Sequence, residues 1–337
     1  MTVLASLPAT TSTPARLSRE ALRDLLSDRN FEALETHYGG LHHAFSVQQL
    51  SEKELRRAYT LAESYRPEFT KPFRAWVNAY PQSYPARVSL ASHLFAHGWQ
   101  LRTMRLAKDI PEENRQELAE VMAEAWSYFV EAVELDAQAT LAYCGLICLQ
   151  MQQGEQGWDA YLAGLKAAPG SMQLRRTMLS NLRTEWGGSH EAQAAFVKRP
   201  EHESLPEQER ARLEAQRLCQ LGHHLGHFAN DHAGAKKAFR QSLALSREAG
   251  ALSGLANWVG PFAKRRLLNE ALALEPDDDH IRALHAIGRL ENFAPAGPQL
   301  EILRDCAEWG EPFATDILGA PLWVIRLRPV LMRLMRR

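Results

Sequence analysis

Long apolar runs are missing from this 337-residue sequence, and so is any excess of one charge. No stretch approaches the roughly 18 to 20 apolar residues of a bilayer span, so no membrane-crossing helix is expected. The 39 basic and 40 acidic residues leave a formal charge of −1. Such a balance exerts no long-range pull on a phosphate backbone, and nucleic acid is not an expected partner. Only four cysteines occur, Cys144, Cys148, Cys219 and Cys306, with no C-x-x-C pair. A chain this long needs no disulfide staples, so free thiols in a reducing compartment are expected. The N-terminus has no basic leader, and Pro8 interrupts the short apolar run Ala5–Leu7. A cytoplasmic location follows as the expectation.

Catalytic motifs are absent too. There is no G-x-S-x-G, no G-x-x-x-x-G-K and no strand followed by G-x-G-x-x-G, which leaves acyl-enzyme and nucleotide chemistry without support. His190-Glu191 lacks the second histidine of H-E-x-x-H. Acid runs such as Glu112-Glu113 and Asp277-Asp278-Asp279 stand where helices should begin, where a carboxylate meets the positive end of the helix dipole. The sequence points to no catalytic residue and no cofactor.

What is present is helical periodicity. Hydrophobic residues make up 45% and charged residues 23% of the chain, enough apolar material for a core. Residues 1–16 are rich in Thr, Ser, Ala and Pro and read as a disordered tail. A variant helical region should fill 17–110. Ser18 is a cap for a first helix; Phe31, Leu34 and Tyr38 mark a second ending at Gly39-Gly40; Ser51-Glu52-Lys53-Glu54 is a capping box. Helical repeats should occupy 111–310. A face of small, large, small residues at i, i+4, i+7 recurs as Ala125/Phe129/Ala132, Trp158/Leu162/Leu165, Ala192/Phe196, Ala235/Phe239/Ser242 and Lys264/Leu268/Ala271. The first positions lie 33, 34, 43 and 29 residues apart. Two of these intervals match the tetratricopeptide period, and the longest holds the polar insertion Pro200–Pro206. The expected fold is therefore all-α: antiparallel helical hairpins stacked as a right-handed, tetratricopeptide-like solenoid. Ala75-Trp76, Tyr80-Pro81-x-Ser83 and Trp186-Gly187-Gly188-Ser189 resemble motifs of a bacterial tetratricopeptide-like family of unknown function. That likeness, over about Phe31 to Val197, implies a fold and no activity.

Candidate sites are few. His223 and His227 stand one helical turn apart with His232 nearby, a spacing that can place imidazoles on one metal ion. An ordinary amphipathic helix gives the same spacing, and a metal-dependent enzyme built on this cluster is the alternative to be tested. Trp186, His224 and Trp258 are candidates for partner contact, because aromatic groups on a helical-repeat surface serve as binding anchors. Residues 311–337 form a cationic amphipathic segment in which Trp323, Arg326, Arg328 and Arg333 suit either a capping helix or peripheral membrane contact. The expected function is a non-catalytic scaffold that binds another protein or peptide, with membrane association through the C-terminus as the rival.

Overall fold

Capping chemistry sets most helix starts. Ser18 accepts from Ala21 N, and Ser51 and Glu54 form the reciprocal capping box. Ser171, Ser189, Asp231, Asp278 and Glu311 each accept from the amide three residues on. Each satisfies a donor that the first helical turn leaves unpaired. The computed structural model describes residues 16–63, 65–102, 110–152 and 154–327. No strand occurs among them. Residues 1–15 of the expected tail, and Arg328 and Arg333 of the C-terminal segment, lie outside the described residues.

The chain divides into two compact units, Met1–Gly145 and Leu146–Arg337. The first holds α1 (Arg19–Ser27), α2 (Phe31–Ser46), α3 (Glu52–Tyr59), α4 (Pro67–Ala79), α5 (Tyr84–Arg102) and α6 (Glu112–Leu135). The boundary falls within α7 (Thr140–Gln152). Its core is aromatic: Tyr38, Tyr59, Phe69, Phe73 and Trp76 are all buried. Glu35 accepts from Trp76 Nε1 at 2.7 Å and from Ser83 Oγ at 2.6 Å. The tryptophan and serine of the sequence motif thus meet at one carboxylate on α2. The expected stop at Gly39-Gly40 does not occur. Helix α2 continues to Ser46, because Tyr38, Leu41 and Ala44 go on burying one face through the glycines.

The second unit continues with α8 (Trp158–Ala167), α9 (Met172–Asn181), α10 (His190–Phe196), α11 (Glu207–His227), α12 (His232–Leu245), α13 (Ala249–Ala256), α14 (Pro261–Leu274), α15 (Asp279–Glu291), α16 (Ala296–Glu308) and α17 (Pro312–Leu318). Consecutive helices pack as hairpins, α11 with α12, α13 with α14, α15 with α16. The expected faces Ala235/Phe239/Ser242 and Leu268/Ala271 are buried, and both sets belong to helices packed against the next hairpin. Helix α15 shows why hairpins stack. Ile281 and Leu284 enter one core cluster, while Ala283, Ala286, Ile287 and Leu290 enter the next. A helix apolar on two sides needs a layer on each. Phe239 is the keystone of the α11–α14 layers, and a Cβ on Gly254 would sit 2.4 Å from its ring.

The register of α8 differs from the expected one. Ala160, Tyr161 and Gly164 face inward, while Leu162 is exposed. Tyr161 wins the buried position because its hydroxyl has a partner there, His202 Nε2 at 3.2 Å, and its ring packs on Phe196. Helix α11 turns Leu213, Leu218, Gly222 and Gly226 to the core, and Phe228 at its end is solvent-exposed.

Candidate functional site

Up-and-down connectivity decides which loops share an edge. The turns closing α11/α12, α13/α14 and α15/α16 emerge on one edge of their stack, and the links α12/α13 and α14/α15 on the other. Each turn of the first edge presents a phenylalanine to solvent: Phe228 at 64%, Phe262 at 92% and Phe293 at 66% exposure. Phe293 also takes φ +59, a left-handed backbone that a bulky side chain seldom adopts. Three exposed aromatic rings thus stand on successive turns of one edge.

Side-chain contacts join the turns into one rim. His224 lies against Phe228, its ring 4.6 Å from His190 and its Nδ1 3.3 Å from Glu185. Trp258 packs on His232 at 4.6 Å and on His227 at 5.3 Å. Gly226 makes that possible, since a Cβ there would meet the indole at 2.4 Å. Beyond Phe262, Lys264 of α14 pairs with Glu291 at the end of α15. Next comes Phe293, with Arg326 placed 5.6 Å above its ring and donating to Ala294 O. Arg326 belongs to a helical turn over 322–327 whose Ile325 is buried in the α15–α17 core, while Trp323 is 63% exposed.

Several sequence candidates therefore lie along this rim: His224, His227, His232 and Trp258 where the α11/α12 and α13/α14 turns meet, and Arg326 beside Phe293, whereas His223 is turned inward. Trp186 lies in a short turn beside Glu185, with Arg183 placed 5.5 Å above its ring. His223 and His227 stack with centroids 6.0 Å apart, and His223 meets the edge of Phe239. Among the described residues, no group of three or more His, Cys, Asp or Glu is placed to hold a metal ion. Burial, helped by His227, pushes the His223 imidazole down to about 4. Burial likewise pushes the Cys219 thiol up to about 12, so it is a poor nucleophile. The three exposed phenylalanines escaped the sequence reading, although a signal was there: each stands in or beside a turn, in Phe228-Ala-Asn-Asp, Gly-Pro-Phe262 and Asn-Phe293-Ala-Pro.

Charge is segregated across this stack. The stretches 228–237, 257–266, 289–297 and 322–327 carry seven Lys and Arg against two acids, Asp231 and Glu291. The opposite-edge stretches 246–248, 275–279 and 308–311 carry seven acids against Arg247. Asp231 caps its own helix and Glu291 is paired with Lys264, so the aromatic rim is the cationic one.

A separate concavity lies in the first unit. Its volume is about 300 Å³, and His42, Phe45, Leu55, Tyr84, Asp136 and Thr140 are among its walls. His42 Nε2 is 2.7 Å from the Tyr59 hydroxyl, and Nδ1 is 3.8 Å from Asp136. Burial pushes the His42 imidazole down against the opposing pull of Asp136, and burial pushes both tyrosines well up. These side chains come from α2, α3, α5, the α6–α7 turn and the start of α7, too far apart in sequence for any motif to join them.

Residues 18–164 match the family model of DUF4034, a domain of unknown function. That stretch contains the whole wall of the concavity. No curated protein matches the chain. Among solved structures, the crystal structure of the APC/C hetero-tetramer Cut9-Hcn1 aligns with 89% of this chain at 16% identity and a TM-score of 0.39. The chain spans about half of that one, 54%.

Proposed function

We propose that this chain is a non-catalytic binding protein whose working surface is the aromatic, cationic rim of the second unit. Its partner is an acidic polypeptide segment carrying apolar anchors. The observation that carries this reading is the exposed phenylalanine on each of three consecutive hairpin turns. Burying one such ring stabilises a complex by about 1.5–3 kcal/mol. Three together offset a large part of the entropic cost of association, and the surrounding Lys and Arg set the sign of the charge they meet. The imidazoles of His224, His227 and His232 lie between the rings as polar filling, with Trp186 and Trp258 as flanking contacts.

The test is affinity purification of the full-length protein from its own host, in parallel with Phe262→Asp/Phe293→Asp. Both rings are exposed, so the fold should survive. A stoichiometric protein partner held by the wild type after a moderate-salt wash and lost from the double variant is the expected result. Equal retention by both proteins would refute the assignment.

One observation favours a second reading, contact with an anionic membrane surface. Trp323 and Leu327 are both exposed one helical turn apart, flanking Arg326. No helix among the described residues is long and apolar enough to cross a bilayer, so this would be interfacial contact. Flotation with phosphatidylserine vesicles separates the two: flotation of the wild type that Trp323→Ser abolishes would transfer the rim to lipid.

A further inference from the structure

The concavity of the first unit carries an inference independent of the rim. Asp136 follows the last residue of α6, and one of its oxygens accepts from Gln138 N at 2.8 Å, which closes the turn into α7. The other oxygen lies towards His42, and Asp136 is part of the cavity wall. Among the described residues its one ion-pairing neighbour is His42, at 3.8 Å, beyond hydrogen-bond reach. His42 is a poor counter-ion in any case. Its Nε2 is engaged with the Tyr59 hydroxyl, and burial disfavours the charged ring against the opposing pull of Asp136. The same engagement argues against a general base, because that nitrogen is already held in a hydrogen bond with Tyr59.

The cavity thus holds one carboxylate without a cation, side-chain acceptors at Thr140 and Gln138, and apolar or aromatic walls from Phe45, Leu55 and Tyr84. Each feature selects against a class of guest. A carboxylate repels anions. Asp136 and the imidazoles of His42 and His43 all line the cavity, but among the described residues no three such groups are placed to hold a metal ion. A volume near 300 Å³ is at the small end of ligand pockets and suits a guest the size of one side chain. Aromatic faces beside a negative charge suit an ammonium on an aliphatic stem, which gains from the ring quadrupole as well as from the ion pair.

The geometry points to a recognition site for an alkylammonium group, with Asp136 as its counter-ion and Tyr84, Phe45 and Leu55 around its stem. Two sources share that chemistry, a lysine side chain of a polypeptide and a free aliphatic polyamine.

The experiment titrates n-butylammonium into full-length protein and follows the histidine ring resonances in 13C-histidine-labelled samples, with calorimetry alongside. His42 is assigned by His42→Gln. A saturable His42 shift is expected, with affinity falling at least tenfold in Asp136→Asn, which retains the carbonyl that accepts from Gln138 N. The neutral isostere 1-butanol should give no saturable shift. Ser46→Trp, at an exposed position on the cavity wall, should block the site while circular dichroism stays native. An acetylated lysyl peptide amide that binds more tightly than cadaverine assigns a polypeptide; the reverse order assigns a polyamine. Undiminished affinity in folded Asp136→Asn or Ser46→Trp, or no His42 response to any amine, would overturn the assignment.

Discussion

His223 offers a sharp test of how the second unit is packed. Its imidazole lies between the edge of Phe239 and the parallel ring of His227, and burial followed by the neighbouring His227 brings its pKa down to about 4. An unfolded histidine titrates near 6.5. Above that pH both states are neutral and the residue adds no pH dependence. Between about 6.5 and 4 the unfolded chain binds a proton that the folded chain does not, so stability falls as the pH falls. Linkage sets the slope at about 1.4 kcal/mol per pH unit, or about 3 kcal/mol lost by pH 4. The measurement is urea unfolding of the wild type and His223→Gln at pH 7, 5.5 and 4, where the carboxylates common to both proteins cancel in the difference. The stability advantage of the wild type over His223→Gln should shrink by about 3 kcal/mol across that range. A difference that stays constant with pH, or a His223 ring that titrates near 6.5 by NMR in the folded protein, would falsify the packing argument.

Other expectations follow from single contacts. Gly254→Ala places a methyl against Phe239 and should cost about 1–3 kcal/mol in chemical denaturation, as should Ala235→Leu or Ala271→Leu at the same layer contacts; unchanged midpoints in all three would reject the register of α12–α14. Glu35→Ala leaves the Trp76 indole N–H and the Ser83 hydroxyl without their acceptor and should cost about 2–4 kcal/mol, with a change in tryptophan fluorescence; a neutral effect would mean that the α2 contact is not what the motif secures. The His280 imidazole is raised by its hydrogen bond to Glu311, so the pair should stabilise α17 below pH 6.5 and lose that contribution as the pH rises through the raised value. Helix protection measured by hydrogen exchange at pH 6 and 8 should differ in the wild type and converge in His280→Gln.

Much of the architecture was local enough to read directly. Ser18, Ser51 and Asp278 cap helices because the first amides of any helix need acceptors, and that requirement is written in four-residue windows. The faces Ala125/Phe129/Ala132 and Ala235/Phe239/Ser242 were legible for a similar reason, since helical period alone brings them to one side. Where periodicity admitted two registers it failed. At α8 the choice between Trp158/Leu162 and Ala160/Tyr161/Gly164 rests on His202 and Phe196, which contact Tyr161 from a distant part of the chain. At Gly39-Gly40 the helix outlasts two poor helix formers because its core contacts continue on both sides of them.

The sequence by itself determined that this chain is helical, where most helices begin, and that its layers are built from apolar faces needing neighbours. Tertiary structure alone decided what those layers display. A formal charge of −1 conceals a stack with a basic, phenylalanine-bearing edge and an acidic opposite edge, because alternating chain direction sends every second turn to the same side. The same holds for Asp136 and His42, which face one cavity only after α2 and the α6–α7 turn have packed together. Composition sums charges over the whole chain, whereas binding responds to the charges and rings that folding brings to one surface.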